Sequence, residues 1–335
     1  MRATIKDVAR EAGVSVSTVS YALSRKGEPI KDSHKRVLAA VDKLGYVPDA
    51  TARSLVNSRT NNIGLIIPCE LGAEFQNPYY VEVISIFSEE LAKRGMWLSI
   101  YMHGETNDRA FEDLLIDAKL DGIVWANYLP SERESTIIER RALPRVAMGT
   151  FGSGETALPT IRIESEIGVT EALRHIANLG HTEIMYIGGS DNDFRQNVLM
   201  NSLNSVGLHC TQTISAHFDE NTAFLEMSKY IERTAKLPTA IFAGSDLMAL
   251  GAIRALNEHG YNVPNDVSVI GHDDILATRR AEPPLSTVRQ KLGVAVECAV
   301  DYLIKCRDER EMFNDFCAVV DTEFISRSST AKKRI

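Results

Sequence analysis

From Asn62 onward, short apolar runs alternate with amphipathic stretches, and this alternation limits most of the chain to one kind of architecture. The runs are IGLIIP, MWLSIYM, DGIVWA, RVAMG, EIMYIGG, TAIFAG and VSVIG. Between them lie stretches with helical periodicity, including Tyr79–Arg94, Asp108–Lys119, Gly168–Leu179, Ser245–His259 and Leu292–Cys306. A short, wholly apolar strand is buried on both faces, and an intervening helix supplies the cover. The pattern therefore predicts an α/β body of doubly wound parallel sheets. About eleven strand candidates exceed one comfortable sheet, so two similar lobes are expected. Ligands of such folds bind beyond the carboxyl ends of the strands.

The first sixty residues follow a different plan. Ile5, Val8, Ala9 and Ala12 fall on one helical face, and Gly13 stops the helix. Ser15 is a helix cap for the next segment, with Thr18 three residues on. In that segment Val19, Ala22 and Leu23 share the inward side, Val16 cannot be deeply buried, and Ser17 and Tyr21 lie one turn apart. Val37, Ala40, Val41 and Leu44 define a third helix, closed by Gly45. Three short helices around one small core fit a helix-turn-helix unit as well as a generic protein-binding module. For the first, Ser15, Thr18 and Ser20 offer hydroxyls to phosphates, while Val16, Ser17 and Tyr21 reach base edges.

Charge favours the DNA reading. Residues 1–60 hold eleven Lys and Arg against six Asp and Glu, a surplus of +5 in a chain whose net charge is −8. The other 275 residues thus carry −13. A basic head on an acidic body attracts polyanions at one end only. Past Pro48, Asp49 can cap a helix over residues 50–57. At about eight residues it is too short to be stable alone, and a duplex minor groove is one place that would hold it. There Leu55, with Arg53 beside it, can wedge between base steps.

TIKDVAREAGVSVSTVS, then LGYVPDATARSL, then IGLIIP together resemble the lactose-repressor (LacI/GalR) family of bacterial transcription regulators, over nearly the whole chain from about Thr4 to about Ile325. The resemblance implies a helix-turn-helix headpiece, a hinge helix that orders on DNA, and a two-lobed body of periplasmic-binding-protein type that binds an effector. It implies domains at 1–48, a hinge at 49–60, and a body at 61–335. Lobe one would take about 61–161 and 291–320, and lobe two about 162–290 and 321–330. It places Val16, Ser17 and Tyr21 at base-reading positions and Leu55 at the intercalating one. It places Arg195, Phe218, Ser245 and Asp273 against the effector, with Tyr79 near the pocket mouth.

Several positions depart from the family pattern. The turn SRKGEPIKD is one residue longer, and Lys31 stands where a small capping residue is common. Ser245 replaces a frequent Asn, Gly149 an Asp, and Glu164–Ser165 an Asp–Asn pair.

A guanidinium, a carboxylate and an aromatic face suit a sugar, whose paired hydroxyls take bidentate hydrogen bonds and whose C–H face packs on a ring. A carbohydrate effector is expected, with a nucleobase or another small metabolite as the alternative. Inducer and corepressor action both remain open. Asp246 is expected to cap the helix that follows TAIFAG.

Other classes fit less well. Adjacent Asp273 and Asp274 at a strand end point to opposite sides, which argues against a catalytic or metal-binding pair. No HExxH, GxSxG or Walker motif is present, and GTFGSG lacks dinucleotide-binding spacing. His181 is expected to bond locally. The five cysteines are odd in number, widely spaced and without CxxC, so neither a disulfide framework nor a metal site is expected. No apolar run reaches the ~18 residues of a membrane helix, and the start lacks a signal peptide's apolar core. The expectation is a cytoplasmic, non-enzymatic homodimer without cofactor, bound to a near-palindromic operator. A secreted sugar carrier would share the body but not the headpiece.

Overall fold

A computed structural model describes residues 3–24, 32–46, 59–68, 77–103, 120–151, 158–189, 193–234 and 236–334. Two compact units divide the chain, Met1–Thr60 and Asn61–Ile335.

In the first unit α1 spans Ile5–Ala12, α2 Val16–Ser24 and α3 Asp32–Leu44. A reciprocal capping box starts α1: the Thr4 amide donates to Asp7 Oδ2 at 3.0 Å, and the Asp7 amide donates to Thr4 Oγ1 at 3.4 Å. Gly13 ends it at φ 63°, and the Val14 amide returns to the Ala9 carbonyl at 3.0 Å. Val8, Val19 and Val37, one from each helix, are fully buried, and Ala9, Ala12, Ala22 and Ala40 fill the space around them. Small side chains let three short helices approach closely around so small a core. Lys43 pairs with Glu11 at 2.6 Å and joins α3 to α1 at the surface. The long turn between α2 and α3, the linker 47–58 and with it Arg53 and Leu55 lie outside the described residues.

The second unit holds two six-stranded sheets. The strands of the first are β1 Asn62–Pro68, β2 Trp97–His103, β3 Gly122–Ala126, β4 Arg145–Gly149, β5 Thr160–Glu164 and β11 Cys317–Asp321. Their order is β11-β5-β4-β3-β1-β2, all parallel. The strands of the second are β6 Glu183–Gly188, β7 His209–Ser215, β8 Ala240–Ala243, β9 Ser268–Asp273, β10 Ser286–Arg289 and β12 Glu323–Ile325. Their order is β12-β10-β9-β8-β6-β7, with only β12 antiparallel. In each sheet the chain reverses its winding direction once, at β1/β3 and at β6/β8, and crevices open at such points.

The described helices of this unit are α4 Pro78–Lys93, α5 Glu132–Arg140, α6 Glu166–Asn178, α7 Phe194–Val206, α8 Glu220–Arg233, α9 Asp246–Glu258, α10 Leu276–Arg280 and α11 Leu292–Glu309. Each sheet has a buried apolar cluster on both faces, as the unbroken apolar strands require. Cys298 and Cys306 both lie on α11, as free thiols.

The chain crosses between the sheets at Ser165, at Gln290 and at Thr322, and all three residues are buried. The Thr322 amide and hydroxyl both donate to the Glu164 carbonyl at 3.1 Å, which binds two crossings together. Ile275, from the second sheet, is packed into the apolar cluster of the first. His181 bonds locally, within 2.9 Å of Thr239 Oγ1 and 3.0 Å of the Ala331 carbonyl, and holds the C-terminal segment against the second sheet.

Candidate functional site

In the first unit Ser15 Oγ accepts the Thr18 amide at 3.1 Å and so caps α2. Ser15 Oγ also contacts the hydroxyls of Ser17 at 2.7 Å and Thr18 at 2.8 Å. With Val19 and Ala22 turned inward, the opposite side of α2 faces solvent. Val16 is 41% and Tyr21 48% exposed, and Ser15 and Ser17 are exposed with them. Thr18 and Ser20 are half-buried at the edge of this face. The Tyr21 ring lies 6.1 Å from that of His34 on α3. An exposed apolar side chain, hydroxyls and a phenol at the amino end of a short second helix match what a major groove accepts.

In the second unit a cavity of about 580 Å³ opens between the sheets, at the carboxyl ends of their strands. Tyr79, Arg195, Phe218, Ser245 and Asp273 all line it. Each comes from a different segment: α4, the start of α7, the turn after β7, the turn after β8, and the end of β9.

At its centre Arg195 Nη2 pairs with Asp273 Oδ1 at 3.0 Å, and both side chains are largely shielded from solvent, at 14% and 8% exposure. The same guanidinium donates to the Gly244 carbonyl and lies 5.5 Å from the centre of the Phe218 ring. Gln290 continues the chain of bonds. Its amide nitrogen donates to Asp273 Oδ1 at 2.6 Å, and its Oε1 accepts the Tyr79 hydroxyl at 3.2 Å. Arg195, Asp273, Gln290 and Tyr79 thus form one polar path from the second sheet, through a crossing, to the first.

Burial raises the Asp273 pKa, but Arg195 and the hydrogen bond from His272 outweigh it and hold the carboxyl below its ordinary value. Burial pushes the Tyr79 phenol up, and the Asp273 charge adds to the shift. Burial and the Arg195 charge push His272 down, so its neutral ring bridges Asp273 at 3.2 Å and Ser165 Oγ at 3.1 Å. One of the family departures, Ser165, therefore meets the site through His272.

The backbone is bent into unusual shapes here. His217, Phe218, Asn127 and Asp273 all have positive φ, and Asp273 reaches 125°. Such conformations cluster where the surrounding structure holds groups for a function. Phe218 is 37% exposed and presents ring surface to the cavity. Gly189 makes room for it, because a Cβ there would lie 2.0 Å from the ring.

One expectation needs correction. Asp246 does not cap α9: Ser245 does, accepting the Met248 amide at 3.3 Å. Asp246 is fully buried and instead accepts the Ile275 amide at 2.9 Å and the Thr287 hydroxyl at 2.6 Å, tying together the segments after β8 and β9. Asp193 caps α7 through the Arg195 amide at 3.0 Å, and the side chain of Arg195 turns to Asp273.

Asp273 and Asp274 do separate, Asp274 meeting Arg289 at 2.7 Å and Arg279 at 3.3 Å, with Arg327 alongside. The sequence reading passed over Asn127 and Gln290. Both follow strands directly, so the carboxyl-end rule could have found them. Asn127 also accounts for the missing acid at 149, since a Cβ on Gly149 would lie 2.4 Å from Asn127 Oδ1.

Comparison with known proteins decides the family. Residues 4–49 match bacterial regulatory proteins of the lacI family, and residues 173–330 match a periplasmic binding protein-like domain. The chain is 32% identical over 305 residues to the HTH-type transcriptional repressor PurR of Actinobacillus pleuropneumoniae serotype 3, covering 87% of this chain and 88% of the relative. The chain belongs to the LacI family. It is 30% identical over 307 residues to the HTH-type transcriptional regulator DegA of Bacillus subtilis, with the same coverage. It is therefore a DNA-binding transcriptional regulator of the LacI family, whose members are regulators rather than enzymes.

Among solved structures, the lac repressor dimer bound to operator and the anti-inducer ONPF shares the fold at a TM-score of 0.83 and 21% identity, covering 99% of this chain and all of that one. The CelR–cellobiose complex does so at 0.71 and 24%, covering 98% of this chain and all of that one. Among the described residues no helix is long and apolar enough to cross a membrane, and no His, Cys, Asp and Glu cluster is arranged to hold a metal.

Proposed function

We propose that this LacI-family regulator is a homodimeric repressor whose operator affinity is set by a carbohydrate bound in the cleft around Arg195 and Asp273. The observation that carries the reading is the joint placement of a buried guanidinium–carboxylate pair and an open aromatic face in one cavity. Its size, about 580 Å³, is that of a small-molecule site. Arg195 and Asp273 offer donors and acceptors to neighbouring hydroxyls, and Phe218 covers a C–H face. Tyr79, buried and bonded to Gln290, adds a wall rather than a mouth, and Ser245 keeps its hydroxyl hydrogen free to donate while its oxygen caps α9. A solved structural neighbour, a transcriptional regulator described in complex with cellobiose, supports the class. A flat nucleobase stacked on Phe218 is the second reading, favoured by the same exposed ring.

On DNA, Val16, Ser17 and Tyr21 read bases, and Ser15, Thr18 and Ser20 bond phosphates. Arg53 and Leu55 act at the central minor groove, in a hinge at 49–60 between a headpiece at 1–48 and a two-lobed body at 61–335. The expected lobe boundaries near 161, 290 and 320 fall within four residues of the crossings at Ser165, Gln290 and Thr322, with 161 inside β5 and 320 inside β11. Two headpieces meet two half-sites, which requires a dimer. The exposed apolar side chains Trp97, Ile100 and Met102 along the edge strand β2 support a protein contact there. The effector alters the closure of the lobes and thereby the support of the hinge.

The test has two arms. Tyr21→Ala is expected to lower specific operator affinity at least tenfold and leave nonspecific binding nearly intact, by gel shift; equal losses would remove base reading by Tyr21. In a thermal-shift screen against sugars and nucleobases, the molecule that raises Tm for the wild type should fail with Arg195→Ala and change operator affinity. A hit indifferent to Arg195 would place the effector elsewhere.

A further inference from the structure

We infer that the effector is uncharged: a free sugar or similar neutral hydroxylated molecule, and not a phosphorylated or carboxylated one. The inference rests on the cleft being the effector site and narrows what that site accepts. Two independent features of the lining lead to it.

The first is the balance of charged groups. Among the described residues lining the cavity, Asp193, Asp219, Glu220 and Asp273 are acids, and Arg195 is the one guanidinium or ammonium. Two of that guanidinium's five donors are already taken, by Asp273 at 3.0 Å and by the Gly244 carbonyl, and its charge is balanced by Asp273. A phosphate reaching Arg195 must either displace a buried carboxylate from its partner or sit beside it. The first leaves a buried charge unpaired, and the second sets like charges together in a site of low polarity.

The second is the state of the helix ends. A helix amino terminus is the usual anion cradle of α/β folds, because its free amides and positive dipole end point at the ligand. Four helices present their capping residue to this cavity: Asn77 for α4, Asp193 for α7, Asp219 for α8 and Ser245 for α9. Each cap accepts an amide of its own first turn, as Asp193 does from Arg195 at 3.0 Å and Asp219 from Thr222 at 2.7 Å. Two of the caps are carboxylates, which fill the dipole end with negative charge. Asp193 also accepts the Gly189 amide at 3.3 Å, so the loop after β6 offers that donor to its own cap instead of to a ligand. Among the described residues lining the cleft, the one guanidinium is charge-paired with Asp273 and each of the four helix ends carries a side-chain cap. What remains is hydroxyl, amide and carboxylate chemistry around an aromatic face, which suits a neutral polyol.

The experiment equilibrates the full-length protein with a small-molecule extract of bacterial cells. The extract is supplemented with glucose, ribose and their phosphates, and with hypoxanthine and its nucleotide. The retained molecule is identified by native mass spectrometry. Arg195→Ala and Phe218→Ala are run in parallel, with circular dichroism confirming that each is folded. The expected result is a retained neutral molecule lost in both variants, with any phosphorylated counterpart bound at least 100-fold more weakly. A retained phosphate or carboxylate that both variants lose would overturn the inference and leave the cleft as the effector site. Retention that survives both substitutions, or no retention at all, would instead count against the cleft as the site.

Discussion

Asp273 and Asp274 share a peptide bond but meet different partners, and a third carboxylate, Asp246, lies buried beside them without a cation. Burial first, and then the Asp273 charge, lift the Asp246 carboxyl to about 8, far above its ordinary value. The folded chain therefore holds this proton more tightly than the unfolded chain. The stabilisation is complete below the ordinary aspartate range and is lost as pH rises through about 8. Asp246→Asn cannot ionise, so its stability relative to the wild type should improve between about pH 5 and pH 8.5. Urea midpoints across that range measure this, and parallel profiles for the two proteins would refute it. Gly149 makes a second residue-scale case, with φ at 155° and Asn127 in the space a side chain would need. Gly149→Ala should cost on the order of 1–3 kcal/mol in urea unfolding, because the neighbouring Cα, at 2.8 Å from the new Cβ, cannot step aside. An unchanged midpoint would show that the loop yields. The divergence of Asp273 and Asp274 was legible in the sequence, since neighbouring strand residues alternate sides. The role of Asp246 was not: its partners, Ile275 and Thr287, are 29 and 41 positions away, and only the folded chain brings them near.

Elements were easier to read than contacts, for physical reasons. The start of α1, the Gly13 stop and the Ser15 cap are each fixed by hydrogen bonds that span three to five residues, so short windows of sequence contain them. The central strands β1, β3, β4, β6 and β8 could be found because burial on both faces leaves few polar positions. The order of strands in a sheet, by contrast, depends on pairings between distant segments, and β11 joins β5 from 157 residues away. No local signal in the sequence reports that pairing. The segment with Leu55 belongs to this scale as well. A helix of about eight residues, as proposed over 50–57, would be unstable alone and would need a partner to order it. Leu55→Gly removes the side chain proposed to wedge the base steps, and operator bending in a gel-phasing assay should then disappear. Persistent bending would assign the distortion to other residues.

At the scale of the whole molecule the issue is coupling. The crossings at Ser165, Gln290 and Thr322 are buried; Ser165 and Gln290 are hydrogen-bonded to His272, Asp273 and Tyr79 at the cleft, and Thr322 ties its crossing to that at Ser165 through the Glu164 carbonyl, so a change of lobe closure must alter contacts there. A coupling of about 1–3 kcal/mol between effector and operator is expected, and it must be reciprocal. Operator affinity with and without effector, and effector affinity with and without operator, should change by the same factor; a mismatch would show that more than these two equilibria are involved. One further consequence follows from where the last strands come from. Residues 317–325 complete both sheets, β11 beside β5 and β12 beside β10. The three headpiece helices, in contrast, are made of residues close together at the front. During synthesis on the ribosome the reading helices can finish first, while each half of the body still presents an unpaired strand edge. Both sheets of the body are complete only after residues 317–325 have emerged, and a nascent chain that stalls before them would carry folded headpiece helices on an unfinished body.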